Sequence, residues 1–228
     1  MLQSAARGSA IWQSRLISLL SRLHWFVPCS FERKMMMMMC IRTLVIAFVV
    51  STLTLACHEV QAQVKPFKIS GAGIAPSGLP LPGQLAREHW SVGNATHLGR
   101  YTGDGAVKTD SAFPQPNGTI IGQFGSGSPY VFTAANGDEL VCFYGLTGEG
   151  ATEPGAFELT ILGVTPDGNL IVEARFIAQF VPKSELCTGK FAGVTGGWVM
   201  YAWTEPFVLG SSDPIAYWWE GNGALTFK

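Results

Sequence analysis

In the second half of the chain, apolar positions recur at every second residue. Leu170, Val172, Ala174, Phe176, Ala178 and Phe180 share one parity, and Glu173, Arg175 and Gln179 fall on the other. A strand with that contrast buries one face. Phe157, Leu159 and Ile161 alternate with Glu158 and Thr160 in the same way. Runs rich in Val, Ile, Thr, Phe and Tyr predict strands over 95–102, 119–125, 129–134, 139–147, 156–164, 169–180, 197–205 and 215–220, with a short tail at 224–227. Asn136-Gly137 and Pro166-Asp167-Gly168 supply hairpin turns, because Gly accepts positive φ and Pro presets the reversal. No segment carries a helical period longer than two turns. Eight or nine strands in about 140 residues predict a single all-β domain. An eight-stranded antiparallel β-barrel fits best because closure removes exposed edges, with a β-sandwich as the alternative.

The pattern changes upstream of residue 89. Residues 74–84, IAPSGLPLPGQ, have neither period, and 63–88 reads as a Pro/Gly linker ahead of a barrel domain at 89–228. Before the linker, 43–57 is an uncharged run of fifteen residues behind Arg42. That is short of the roughly 20 residues a membrane-spanning helix needs. It matches the apolar part of a secretory signal, which 35–62 would contain. Val60-Gln61-Ala62 places small residues for cleavage before Gln63; lipid attachment at Cys57 and an uncleaved anchor are the alternatives. Met35 to Met39 offer five possible starts, so 1–34 is an over-extended start or a targeting segment. These readings place the protein outside the cell or in the periplasm or envelope, with no stable membrane span once the signal is removed.

Charge divides at the same boundary. Residues 1–62 carry Arg7, Arg15, Arg22, Arg33, Lys34 and Arg42 against Glu32 and Glu59, whereas the remainder is net acidic. The whole chain is formally −1, which excludes a basic nucleic-acid-binding surface as the main function.

Residues 187–196, CTGKFAGVTG, resemble the G-T-G-[RK]-F-x-G-A-x-G signature of the allene oxide cyclase and dirigent superfamily, including its uncharacterised secreted bacterial members. Residues 96–101, THLGRY, and 132–138, FTAANGD, also look like stations of the bacterial members. The resemblance spans roughly 90–228. It implies an eight-stranded antiparallel barrel, often trimeric in the plant members. Cys187 stands where the signature has Gly. The plant enzymes' catalytic acids and base have no matching positions here, so their activities are not carried over. The glycines have a mechanical reading of their own. Gly189, Gly193, Gly196 and Gly197 would turn the chain back into a strand, with Phe191 as a plug.

Recognised catalytic motifs are missing: there is no Gly-x-Ser-x-Gly, His-Glu-x-x-His, Cys-x-x-Cys or P-loop. No cofactor and no metal are expected. His89, His97 and Glu88 would make a weak ligand set, with His97 placed in the first strand beside Tyr101. Asp104, Asp110, Asp138 and Asp167 read as turn residues. Asn94 and Asn117 head glycosylation acceptor triplets. Glu173 and Arg175 lie on one strand face. They are an acid–base pair if that face lines a cavity, and a solvated pair if the apolar parity does. Cys142 and Cys187 are the only cysteines after residue 62, and export predicts a disulfide between them.

Three functions follow for the domain. It is a non-catalytic binder of a small apolar ligand or a protein partner; an isomerase or cyclase acting on a hydrophobic substrate; or a structural envelope protein. The barrel interior discriminates among them. Adjacent Trp218 and Trp219, and Trp198 with Trp203, must split between the two faces. The outward rings predict a homo-oligomer, trimer or dimer.

Overall fold

The computed structural model describes residues 62–145 and 151–228. The signal segment, Cys57 and the 1–34 leader lie outside the described residues. Eleven strands are described: β1 (Gln63–Ala75), β2 (Arg87–Ala95), β3 (Gly99–Pro114), β4 (Thr119–Ser126), β5 (Tyr130–Ala134), β6 (Glu139–Tyr144), β7 (Gly155–Val164), β8 (Leu170–Pro182), β9 (Thr195–Thr204), β10 (Phe207–Val208) and β11 (Ile215–Phe227). The only helical element among the described residues is a single 3₁₀ turn at Gly189–Phe191.

All pairings are antiparallel, and they close on themselves. The path β2–β1–β11–β9–β8–β6–β5–β3 returns to β2 through a β2–β3 pairing, giving a ring of eight strands. β4 and β7 pair with each other and make a parallel route from β3 to β8. β4 and β5 thus act as one bent wall strand, and β6 and β7 as another. Each wall strand then sits beside its neighbour in sequence, which is the up-and-down arrangement. The short β10 pairs with Ile171 and Val172 of β8.

Side-chain parity follows the predicted alternation through β7, β8 and β9. Val172, Ala174, Ala178 and Phe180 are buried and Arg175 is exposed. Trp219 is 6% exposed and Trp218 47%, and Trp198 is buried while Trp203 is partly open. The hairpins at Gly137 and Gly168 have φ of 86° and 85°. Gly189, Gly193 and Gly196 all have positive φ. A Cβ at Gly189 would collide with Asp138 Oδ1. Phe191 is completely buried at the end of the ring that this loop seals.

Three expectations are corrected. Gln63–Ala75, read as part of a linker, is a 13-residue strand paired on both sides, with β11 and β2. Inward Gly71 and Gly73 had hidden its alternation: they face the rings of Tyr101 and Tyr217, where a Cβ would clash. β3 runs on to Pro114, so Asp104 and Asp110 stand on a strand, not in turns. His97 lies in the turn between β2 and β3 with φ 67°, its ring nitrogen 3.2 Å from Pro66 O.

Candidate functional site

β2 inverts the usual rule. Its sequence, REHWSVGNA, places Arg87, His89, Ser91 and Gly93 on the inward parity, while Trp90 and Val92 are exposed. A barrel strand that puts its polar side chains inside marks the wall where internal chemistry is built.

His89 is the centre of that chemistry. Its Nδ1 is 3.0 Å from Tyr217 Oη on β11, and its Nε2 is 2.9 Å from Tyr144 Oη on β6. Tyr217 O–H donates to Trp90 O at 3.0 Å, and Tyr144 Oη lies 3.2 Å from Ala106 O. These are four contacts, yet a neutral imidazole and two phenols carry three protons. Ala106 O already accepts the Gly127 N–H at 2.7 Å. With the ring proton on Nδ1, the imidazole donates to Tyr217, Tyr217 donates to Trp90 O, and the Tyr144 O–H lies between two acceptors, Nε2 and Ala106 O. The neutral ring thus meets three of the four contacts, with the Tyr144 hydrogen shared between Nε2 and Ala106 O. Burial is what keeps the ring neutral, lowering the His89 pKa to about 4. Burial also raises the phenol pKa values of Tyr144, Tyr217 and Tyr130, the last to about 12. At neutral pH the cluster is uncharged. Beside it, Tyr130 and Ser91 share a 2.7 Å hydrogen bond, and the Tyr130 ring lies 4.9 Å from the His89 ring.

A cavity of about 70 Å³ opens next to this cluster, walled by His89, Tyr144, Tyr217, Phe180, Met200 and Trp219 among others. A second chamber, of about 170 Å³, lies toward β7 and is lined by Ile120, Phe157, Leu159 and Phe207. Leu79, Val107, Phe124 and Phe176 line both, so the two chambers are neighbours across an apolar partition. Leu79 to Pro82 and Leu209 also line the second chamber. Arg87 ties the two covering segments together: its guanidinium donates to Ser77 O, to Ser211 O at 3.3 Å and to Gln84 Oε1 at 3.1 Å.

Glu173 and Arg175 do not belong to this site. Their parity points outward, opposite Val172 and Ala174, so the candidate acid–base pair is a pair on the outer face. His89, Glu88 and His97 do not converge, since Glu88 is exposed on the other face of β2 and His97 is in a turn. Among the described residues no group of three or more His, Cys, Asp or Glu is placed to hold a metal.

Cys142 and Cys187 are both free, buried thiols, so the expected bridge is not formed. Cys142 is fully buried on the parity of Leu140 and Tyr144. Cys187 Sγ is engaged by the main chain, accepting from Val141 N–H at 3.4 Å and lying 3.3 Å from Lys183 O. Burial raises both thiol pKa values, so neither is activated as a nucleophile. The site residues that sequence reasoning missed are Tyr130, Tyr144 and Tyr217. They were detectable as tyrosines on inward parities, where each phenol needs a buried partner.

No family model, curated protein or solved structure matches the chain.

Proposed function

We propose that the domain is a non-catalytic binder of a small, neutral, mostly apolar molecule, held inside the barrel-like ring. The observation that carries this reading is the pair of neighbouring chambers with shared apolar walls, beside a polar cluster whose groups are spent on one another. An apolar cavity of roughly 150 Å³ takes up a benzene-sized molecule, and the larger chamber is of that size. A charged ligand is disfavoured because no ionised side chain lines either chamber. The run at 43–57 adds that the protein acts after export.

The isomerase or cyclase reading, suggested by the resemblance of residues 187–196, draws on one observation. His89 can exchange which of its nitrogens carries the proton, because each faces a phenol. Such a chain can hand a proton to one end of a bound substrate and take one from the other.

Calorimetric titration with benzene and with indole tests the binding reading. Wild type is expected to bind at least one of them. Ala202→Leu and Ala112→Leu, which fill the smaller and the larger chamber respectively, are expected to remain folded and to lose it. No uptake by wild type at millimolar probe, or undiminished uptake by both filled variants, overturns the reading.

A further inference from the structure

The outer face carries a pattern of its own. Cross-strand register aligns six outward residues in one row across six strands: Phe113, Ile121, Glu158, Arg175, Trp203 and Trp218. Read from either end, the row runs apolar, apolar, charged, charged, apolar, apolar, and the two central charges are opposite. The next row is Ser111, Gln123, Ala156, Ile177, Tyr201 and Glu220. It is also complementary about its midpoint: Ala156 against Ile177, Gln123 against Tyr201, Ser111 against Glu220.

From these rows we propose that this face binds a second copy of the chain across a twofold axis that lies between β7 and β8, along the strand direction. A twofold contact requires a self-complementary surface. The axis places Glu158 of each copy against the partner's Arg175, Ile121 against the partner's Trp203, and Phe113 against the partner's Trp218.

Three observations support a second copy as the occupant. Phe113, Ile121, Ile177, Tyr201 and Trp218 are all exposed, with Phe113 at 61%, a concentration of large apolar side chains typical of interfaces. Glu158 and Arg175 are exposed and face each other across neighbouring strands, yet they do not form an ion pair with each other. Both charges are therefore open to a partner. Finally, the row is wide enough. Six strands, each occupying about 4.8 Å, cover roughly 29 Å, and a standard interface of about 800 Å² per partner is a patch roughly 28 Å across. The face is also not simply convex. A groove of about 840 Å³ runs along it, lined by five of the six residues of the row, from Phe113 to Trp203, so those five can face one partner together.

The test uses two charge reversals and their mixture. Light scattering of the purified protein at about 50 µM should give the dimer mass. Arg175→Glu and Glu158→Arg should each weaken association by about a hundredfold, because each sets like charges against each other twice across the axis. Mixed in equal amounts, the two variants should recover a dimer. The unaltered Glu158 of one variant then meets the unaltered Arg175 of the other, and the two introduced side chains, also of opposite sign, meet each other. A repulsion confined within one chain cannot be rescued by mixing. Phe113→Lys is the second probe, also expected to give monomer, with the folded far-UV circular dichroism spectrum retained. A monomeric wild type, a trimer, a dimer indifferent to all three substitutions, or a mixture that stays monomeric overturns the proposal.

Discussion

The two ends of the ring share their wall strands and differ in what those strands put inside. At the end sealed by residues 183–194, Phe67, Phe132, Phe191 and Leu225 are completely buried. Phe180 stacks on Trp198 with ring centroids 5.2 Å apart at 14°. Space for these rings comes from glycines: a Cβ at Gly221 or Gly223 would run into Trp198. At the other end the same strands supply Met200, Ala202, Thr204 and Ile215, and voids remain. The tightest packing is at the end away from the two chambers. That lets the other end carry cavities and a buried polar chain, each of which costs stability on its own.

The largest expected contrast is between truncations to alanine at the two ends. Phe132→Ala removes a completely buried ring from the packed end and should cost about 3–5 kcal/mol. Leu79→Ala, in a half-buried cover over existing space, should cost about 1–2 kcal/mol, because less burial is lost there. Urea unfolding of both variants measures this, and equal costs would erase the distinction between the ends.

A pH titration of stability comes next. The His89 pKa is about 4 when folded, against 6.5 when unfolded. Between these values the unfolded chain binds the extra proton, so stability is fully present above pH 6.5 and is lost as the pH falls toward 4. The loss should reach about 3 kcal/mol. His89→Gln, which cannot titrate, should show a flatter profile over the same window. A parallel decline in both proteins would remove His89 as the cause.

How much of this was legible in the sequence depended on the strand. β7, β8 and β9 were, because each buries one apolar parity and exposes the other. β1 was not: Gly71 and Gly73 occupy inward positions, and the apolar mass that covers them comes from Tyr101 and Tyr217 on other strands. β2 misled in a second way. Its outward Trp90 and Val92 look like core, and its inward Arg87, His89 and Ser91 look like surface. Parity locates a core only when the interior is apolar, and here the interior of β2 is the candidate site. Glu173 and Arg175 are the converse case: charges on a regular strand whose charged face is its outside.

Gly103→Ala tests the glycine-for-ring exchange beside the polar cluster. A Cβ at position 103 would lie 2.7 Å from the Tyr130 ring and 3.1 Å from Ser91 Oγ. Tyr130 must then shift and strain its 2.7 Å bond to Ser91. The expected cost is about 1–3 kcal/mol, as for other overpacked cores, together with weaker benzene uptake in the neighbouring cavity. Gly99→Ala gives the comparison, because a Cβ there meets nothing within 4 Å although φ is 72°. Its cost should come from backbone strain alone, and uptake should be unchanged.

The smallest effect on stability is expected at Arg87, and it is the most informative about how the loosely packed end works. The guanidinium bonds carbonyls from both covering segments, Ser77 O and Ser211 O, and also Gln84 Oε1. These bonds are partly open to water, so Arg87→Met should cost only about 1 kcal/mol. The cover over the larger chamber would lose its tie while the wall beneath it stays intact. Benzene should then exchange faster, with on- and off-rates rising together and the equilibrium constant nearly unchanged, as saturation-transfer NMR can measure. The packed end should show no change in amide exchange at Phe132 or Leu225. If instead protection falls at both ends alike, the ring opens as one unit, and Arg87 is a fastener of the whole fold with no separate role at the chamber.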